Sequence, residues 1–169
     1  MTTRVRRKPV RLPARQRGMV LLVSLVFLLL LTLLGISSMQ NATLQEKMTG
    51  SVTVRNQSFQ IAEAALRVGE SSIQVKGYVL AKCTNTVTCA PPAESSVVSA
   101  EGTNGTSGVR WYAATGGGLY GIQNLGTTTT PITRPPTCSA NSTVTLYRVT
   151  AVGNQGASRT VLESIYANC

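Results

Sequence analysis

The apolar and polar positions along the chain fall into three regimes. From Met19 to Ile36 every residue is apolar except Ser24, Thr32 and Gly35, and no charge occurs between Gly18 and Gln45. Residues 19–36 as a helix, at about 1.5 Å each, span roughly 27 Å, enough for a hydrocarbon core. A secretory apolar core is shorter, about 7 to 15 residues, and ends at a small-residue cleavage site. "GISSMQNA" offers small residues, so a removable signal stands as an alternative to an anchor. The apolar pattern then thins into a stripe. Leu44, Met48, Val52, Phe59, Ala62, Leu66 and Ile73 follow steps of 3, 4 and 7, while Gln45, Glu46, Arg55, Gln57, Glu63, Arg67 and Glu70 take the opposite side. That is the period of a helix with one buried face. The pattern predicts a helix from Met19 to about Val79, transmembrane over 19–39 and amphipathic over 40–80. Gly50 and the β-branched "SVTV" loosen it locally.

After Tyr78 the helical period disappears. Residues 83–108 are rich in Ser, Thr, Gly, Pro and Asn, the composition of loops. Short β-prone runs follow, "VRWYAA" at 109–114 and "GLYGIQ" at 118–123, and then "STVTLYRVTAVG" and "SRTVLESIY" separated by "NQGA". The last two read as a β-hairpin. In its second strand Arg159, Val161, Glu163 and Ile165 alternate with Thr160, Leu162, Ser164 and Tyr166. The alternation leaves open which face is buried; the Leu162 and Tyr166 side is able to pack on the helix. The predicted class is α+β, a long helix packed on a small antiparallel sheet, with a globular β domain over 81–169.

Charge changes this picture in one respect. The chain carries 16 Lys and Arg against 6 acidic residues, all Glu, and no His. Seven of the cations precede Gly18: Arg4, Arg6, Arg7, Lys8, Arg11, Arg15 and Arg17. From Met19 onward nine cations face six carboxylates, a net +3, so the basicity belongs to the leader. Nucleic acid is therefore not an expected partner of the body. The cations on the N-terminal side orient the N-terminus to the cytoplasm and everything after the span outward. Without histidine neither a His-assisted triad nor a His-bearing zinc site can form, and no paired Glu or Cys motif replaces them. No enzyme activity, cofactor or metal is expected.

Four cysteines, Cys83, Cys89, Cys138 and Cys169, lie on the predicted outer side of the membrane. An even number in an oxidising compartment favours disulfides, and three pairings are possible. The favoured one joins Cys83 to Cys89 and Cys138 to Cys169, each closing a local loop. Chain entropy assigns about 2 kcal/mol to the short loop and nearly 4 to the long one. The second bond would hold the last residue against fraying of the hairpin. The spacings do not resemble a zinc ribbon.

A basic leader ending in Gly, then an unbroken apolar helix that becomes amphipathic, resembles the class III signal of type IV pilins and pseudopilins. In that family the prepilin peptidase cuts after the glycine, and the new N-terminus is methylated. The resemblance implies a leader over 1–18, cleavage between Gly18 and Met19, and methylation of Met19. It also implies a type IV pilin-like fold and contact with an inner-membrane assembly platform. A narrower resemblance is carried by "RGMVLLVSLVFLLLLTLLGISSMQNATLQEKMTG", "RNQSFQIAEAALRVGE" and the C-terminal "LYRVTAVGNQGASRTVLESIYANC". These are similar to PilX-type minor pilins. The Ser/Thr-rich middle shows no such similarity.

One departure from the general pilin pattern bears on function. Most pilins carry Glu five residues into the mature chain, where it is thought to pair with a neighbour's amine; here that position is Val23. A subunit at the front of a filament has no subunit ahead to pair with. The resemblance thus implies a minor pilin in the bacterial inner membrane that primes a type IV pilus and joins its tip. The implied partners are other minor pilins, the major pilin and a large tip adhesin. The alternatives are a K-like minor pseudopilin of type II secretion, a DNA-binding competence pilin needing a basic groove, or an unprocessed signal-anchored periplasmic protein.

Overall fold

The computed structural model describes residues 17–169, so the predicted leader lies outside the described residues except for Arg17 and Gly18. Helix α1 runs Arg17–Ile73. Five strands follow a short 3-10 turn at Ala93–Ser96: β1 Gly102–Thr103, β2 Arg110–Ala113, β3 Leu119–Thr128, β4 Val144–Gln155 and β5 Ser158–Asn168. They form one antiparallel sheet in the order β1-β2-β3-β4-β5, an α+β layout. The chain divides into two compact units after Thr49.

The described part of the first unit is helix. Its large apolar side chains from Met19 to Ile36 are all exposed, between 47 and 72 %. An 18-residue window of the helix reaches a mean hydropathy of 3.0 without burying any residue.

In the second unit the helix packs on one face of the sheet, and small residues set how closely. Ser58, Ala62, Ala65 and Ile73 are fully buried. Gly69 belongs to the same stripe, since a Cβ there would meet Val149 and lie 3.0 Å from Cδ2 of Tyr120. Steps of three and four keep these residues on one side of the helix. The stripe is narrower than its sequence pattern predicts: Leu44, Met48, Val52 and Phe59 are exposed, and only Ala62, Leu66 and Ile73 reach the core. Tyr147, Val149, Ala151 and Gly153 alternate along β4 to meet the helix. From β5, Thr160 holds the Ser58 hydroxyl at 2.7 Å, and Ser164 donates to Glu70 Oε1 at 2.6 Å. The Leu162 and Tyr166 side of β5 therefore faces the helix.

The helix ends at Ile73, six residues short of the boundary near Val79 that the apolar pattern suggests. Gly77 sits at φ 85°, a left-handed conformation that favours glycine, and the Tyr78 amide closes a turn onto Val75 O at 3.0 Å. Asn168 Nδ2 donates to Ile73 O at 3.0 Å, satisfying one of the carbonyls that a helix end leaves open. Val75, Tyr78, Val79 and Leu80 extend the apolar run in sequence, but Tyr78 and Leu80 pack on the end of the core from an irregular segment. Lys82 then bridges to Asn124, where β3 bulges before Gly126 at φ 105°.

Candidate processing site, exposed helix and clamped strap

The Gly18–Met19 peptide lies in the first turn of α1. Gly18 has nothing within 4 Å of where a Cβ would sit, and Met19 is 72 % exposed. Val23 lies one turn further on, four residues from Met19 and on the same helix side. Between Val23 and Gln45 three hydroxyls, of Ser24, Thr32 and Thr43, bond within their own helix. Ser24 and Thr32 donate back to the carbonyls of Leu21 and Leu29 at 2.9 and 2.8 Å. Hydroxyls satisfied within their own helix suit an environment without water. Helix and side chains together fit a membrane-anchored protein.

The structure brings the cysteines together in two pairs. Cys83 and Cys89 bond with their Cα atoms 5.2 Å apart, and Cys138 bonds Cys169 with Cα atoms 5.8 Å apart. The first pair closes a tight turn in which Asn85 Oδ1 accepts from the amides of Val87 and Thr88 at 2.9 and 2.8 Å. The second fastens the chain end to residues 129–142. That segment is braced by Arg134, whose guanidinium donates to the carbonyls of Thr129 and Ser142 at 2.6 and 2.8 Å.

Residues 83–98 form a strap that loop composition alone does not foretell. It crosses the face of the sheet opposite the helix. There Trp111, fully buried, packs with Leu119, Val152, Val98 and Val109. Three side chains of the sheet hold the strap by its main-chain oxygens. Gln123 Nε2 donates to Thr88 O and Ala90 O at 2.6 and 2.9 Å. Arg148 reaches Cys89 O at 2.6 Å, and Arg159 reaches Ser95 O and Val98 O at 2.8 and 2.6 Å. Burial lowers the Arg159 pKa, but a guanidinium starts so high that it stays charged. Arg148 also pairs with Glu163 at 2.9 Å. Within the strap, Glu94 accepts from the Ser107 hydroxyl and fixes the approach to β2. Cations alternating in a strand read in sequence as solvent-facing residues, so no sequence signal marks Arg148 and Arg159 as clamps. Among the described residues no three His, Cys, Asp or Glu side chains gather as metal ligands.

No curated protein and no solved structure matches the chain. A family model does: residues 17–67 match the PilX N-terminal family. The match covers the start of the apolar helix at the Gly18–Met19 peptide, Val23, and the helical stripe through Leu66. Together with the helix-on-sheet layout, this match over the N-terminal segment supports a PilX-type pilin, related to the type IV pilus.

Proposed function

We propose that the protein is a minor pilin that primes assembly of a type IV pilus and remains at or near its tip. Its role is structural rather than catalytic. Prepilin peptidase cuts after Gly18, Met19 becomes the methylated N-terminus, and the domain faces the periplasm until the inner-membrane platform feeds the subunit into a filament. Its partners are other minor pilins, the first major pilins and a large tip adhesin.

The observation that carries this reading is Val23. It stands half-exposed on a helix with no charge between Gly18 and Gln45, where most pilins offer a carboxylate to the subunit ahead. A filament body grown by head-to-tail addition needs the same contacts fore and aft in every subunit. A subunit with only an amine to give, to the Glu of the subunit behind, occupies one end. Immunogold against the domain should mark filament tips, and loss of the protein should reduce surface pili. Labelling along the whole shaft would overturn the tip position.

A further inference from the structure

We propose that the outer edge of β5 docks an extended, uncharged segment of another polypeptide, which adds to the sheet as a sixth strand. The two edges of the sheet are unlike. β1 closes one side with two residues, whereas among the described residues no strand pairs with the other side of β5, eleven residues long. β5 pairs with β4 from Ser158 to Asn168 without a bulge, and it contains no Pro, Gly or Lys. Those are the devices by which folded proteins usually blunt an edge. Its far end is held by the Cys138–Cys169 bond, so the edge is both flat and pinned.

The turn fixes which backbone groups are offered. Gly156 and Ala157 form a two-residue connection closed by the Gln155–Ser158 pair. In such a hairpin the closing pair is hydrogen-bonded, and the pattern then alternates. Ser158, Thr160 and their alternates thus turn N–H and C=O toward β4. Arg159, Val161, Glu163, Ile165 and Ala167 turn theirs toward the open edge.

The side chains define the occupant. The edge's two charges are already engaged within the chain, Arg159 on Ser95 O and Val98 O and Glu163 on Arg148. No free charge calls for a countercharge on the incoming strand. Val161 and Ile165 stand four residues apart on the sheet face away from the helix, 42 and 51 % exposed. They suit apolar side chains at matching alternate positions of an added strand. A second copy fits poorly, because antiparallel pairing of β5 with itself about its centre sets Glu163 opposite Glu163.

The test uses the full chain in detergent and a short capped peptide alternating Val and Thr. The peptide should bind, and N-methylation of every second residue, which removes one side's donors, should abolish binding. Val161→Lys with Ile165→Lys should weaken it by roughly tenfold or more. Val97→Lys, at an exposed position on the strap, should leave it unchanged. Retained disulfides and far-UV circular dichroism establish that the variants are folded. Absence of binding, equal binding of the N-methylated peptide, or insensitivity to the edge lysines overturns the proposal. So does self-association of the full chain that the edge lysines abolish, since the occupant would then be a second copy. None of these outcomes depends on where the protein sits in a pilus.

Discussion

A Cβ placed on Gly153 would lie 2.5 Å from the amide nitrogen of Ala62 and collide with the carbonyl oxygen of Ser58. Strand β4 and helix α1 therefore meet backbone to backbone, and glycine is required by space rather than by φ. Gly153→Ala should separate the two elements and cost about 1–3 kcal/mol or more, the range for overpacking a close-fitted interior. Denaturant unfolding followed through Trp111 emission measures it. Ala62→Gly, which relieves no clash, should cost about 1 kcal/mol, as glycine does within a helix.

Removing the bond between Cys138 and Cys169 by paired Ser substitution should cost about 2–5 kcal/mol. Hydrogen exchange should quicken first at the Asn168 end of β5 and at the Ile73 helix end that Asn168 caps. The wild-type domain should show no reactive thiols under native conditions; two titrating thiols would contradict the pairing.

Arg159→Met keeps the aliphatic stem but leaves Ser95 O and Val98 O without their donor. Unpairing partly buried acceptors costs about 1–3 kcal/mol. The strap should loosen over Trp111, the only tryptophan in the chain. Its emission should move to longer wavelength and become accessible to acrylamide, while the helix signal in far-UV circular dichroism stays unchanged.

Tyr78 sets an alkaline limit. Burial, reinforced by Tyr147, Tyr112 and Tyr120, raises its pKa from 10.0 to about 12. Its ring meets that of Tyr147 edge-on with centroids 5.6 Å apart. Between pH 10 and 12 the native phenol keeps a proton that the unfolded one has lost. The stabilisation is therefore complete below pH 10 and disappears as pH rises toward 12. Absorbance titration of tyrosinate should show a group ionising near pH 12 that Tyr78→Phe removes, and that variant should flatten the loss of stability over this window.

Gly18→Val should leave the chain at full length, whereas the unaltered protein should yield a mature form beginning at Met19 and retaining the apolar helix. A small residue lets a protease reach the backbone closely, and valine does not. Mass analysis of the membrane-extracted protein decides between this outcome and an N-terminus after Ser38 or Ala42, which would mark an ordinary secretory signal.

Much of the architecture is legible where one interaction dominates. The apolar run from Met19 gives the exposed helix, because nothing among the described residues covers it. The Ala62, Leu66 and Ile73 repeat gives the buried face, and alternation around "NQGA" gives the β4–β5 hairpin. Phe59 follows the same repeat yet remains exposed, because the stripe that meets the sheet runs through Ser58, Ala62, Ala65 and Gly69, and Ser58 and Gly69 do not register as apolar in the sequence. The helix boundary was less legible: Val75, Tyr78 and Leu80 are apolar whether they continue a helix or pack from a turn, and the left-handed Gly77 decides between the two. The strap was invisible because its anchors are carbonyl oxygens, which every residue possesses, and because Gln123, Arg148 and Arg159 are polar residues of kinds common on solvent-facing strands.

That choice of anchor has an evolutionary consequence. A clamp that grips main-chain oxygens is indifferent to most of the side chains it holds, so long as the backbone keeps its path. Thr84, Thr86, Val87, Val97 and their exposed neighbours can change without disturbing Gln123, Arg148 or Arg159. The requirements fall on Cys83, Cys89, Asn85, Glu94 and Val98, which bond or pack specifically. The strap is thus a surface on which sequence can drift rapidly over an unchanging sheet. Antibodies raised against this patch would be expected to distinguish close relatives that share every strand.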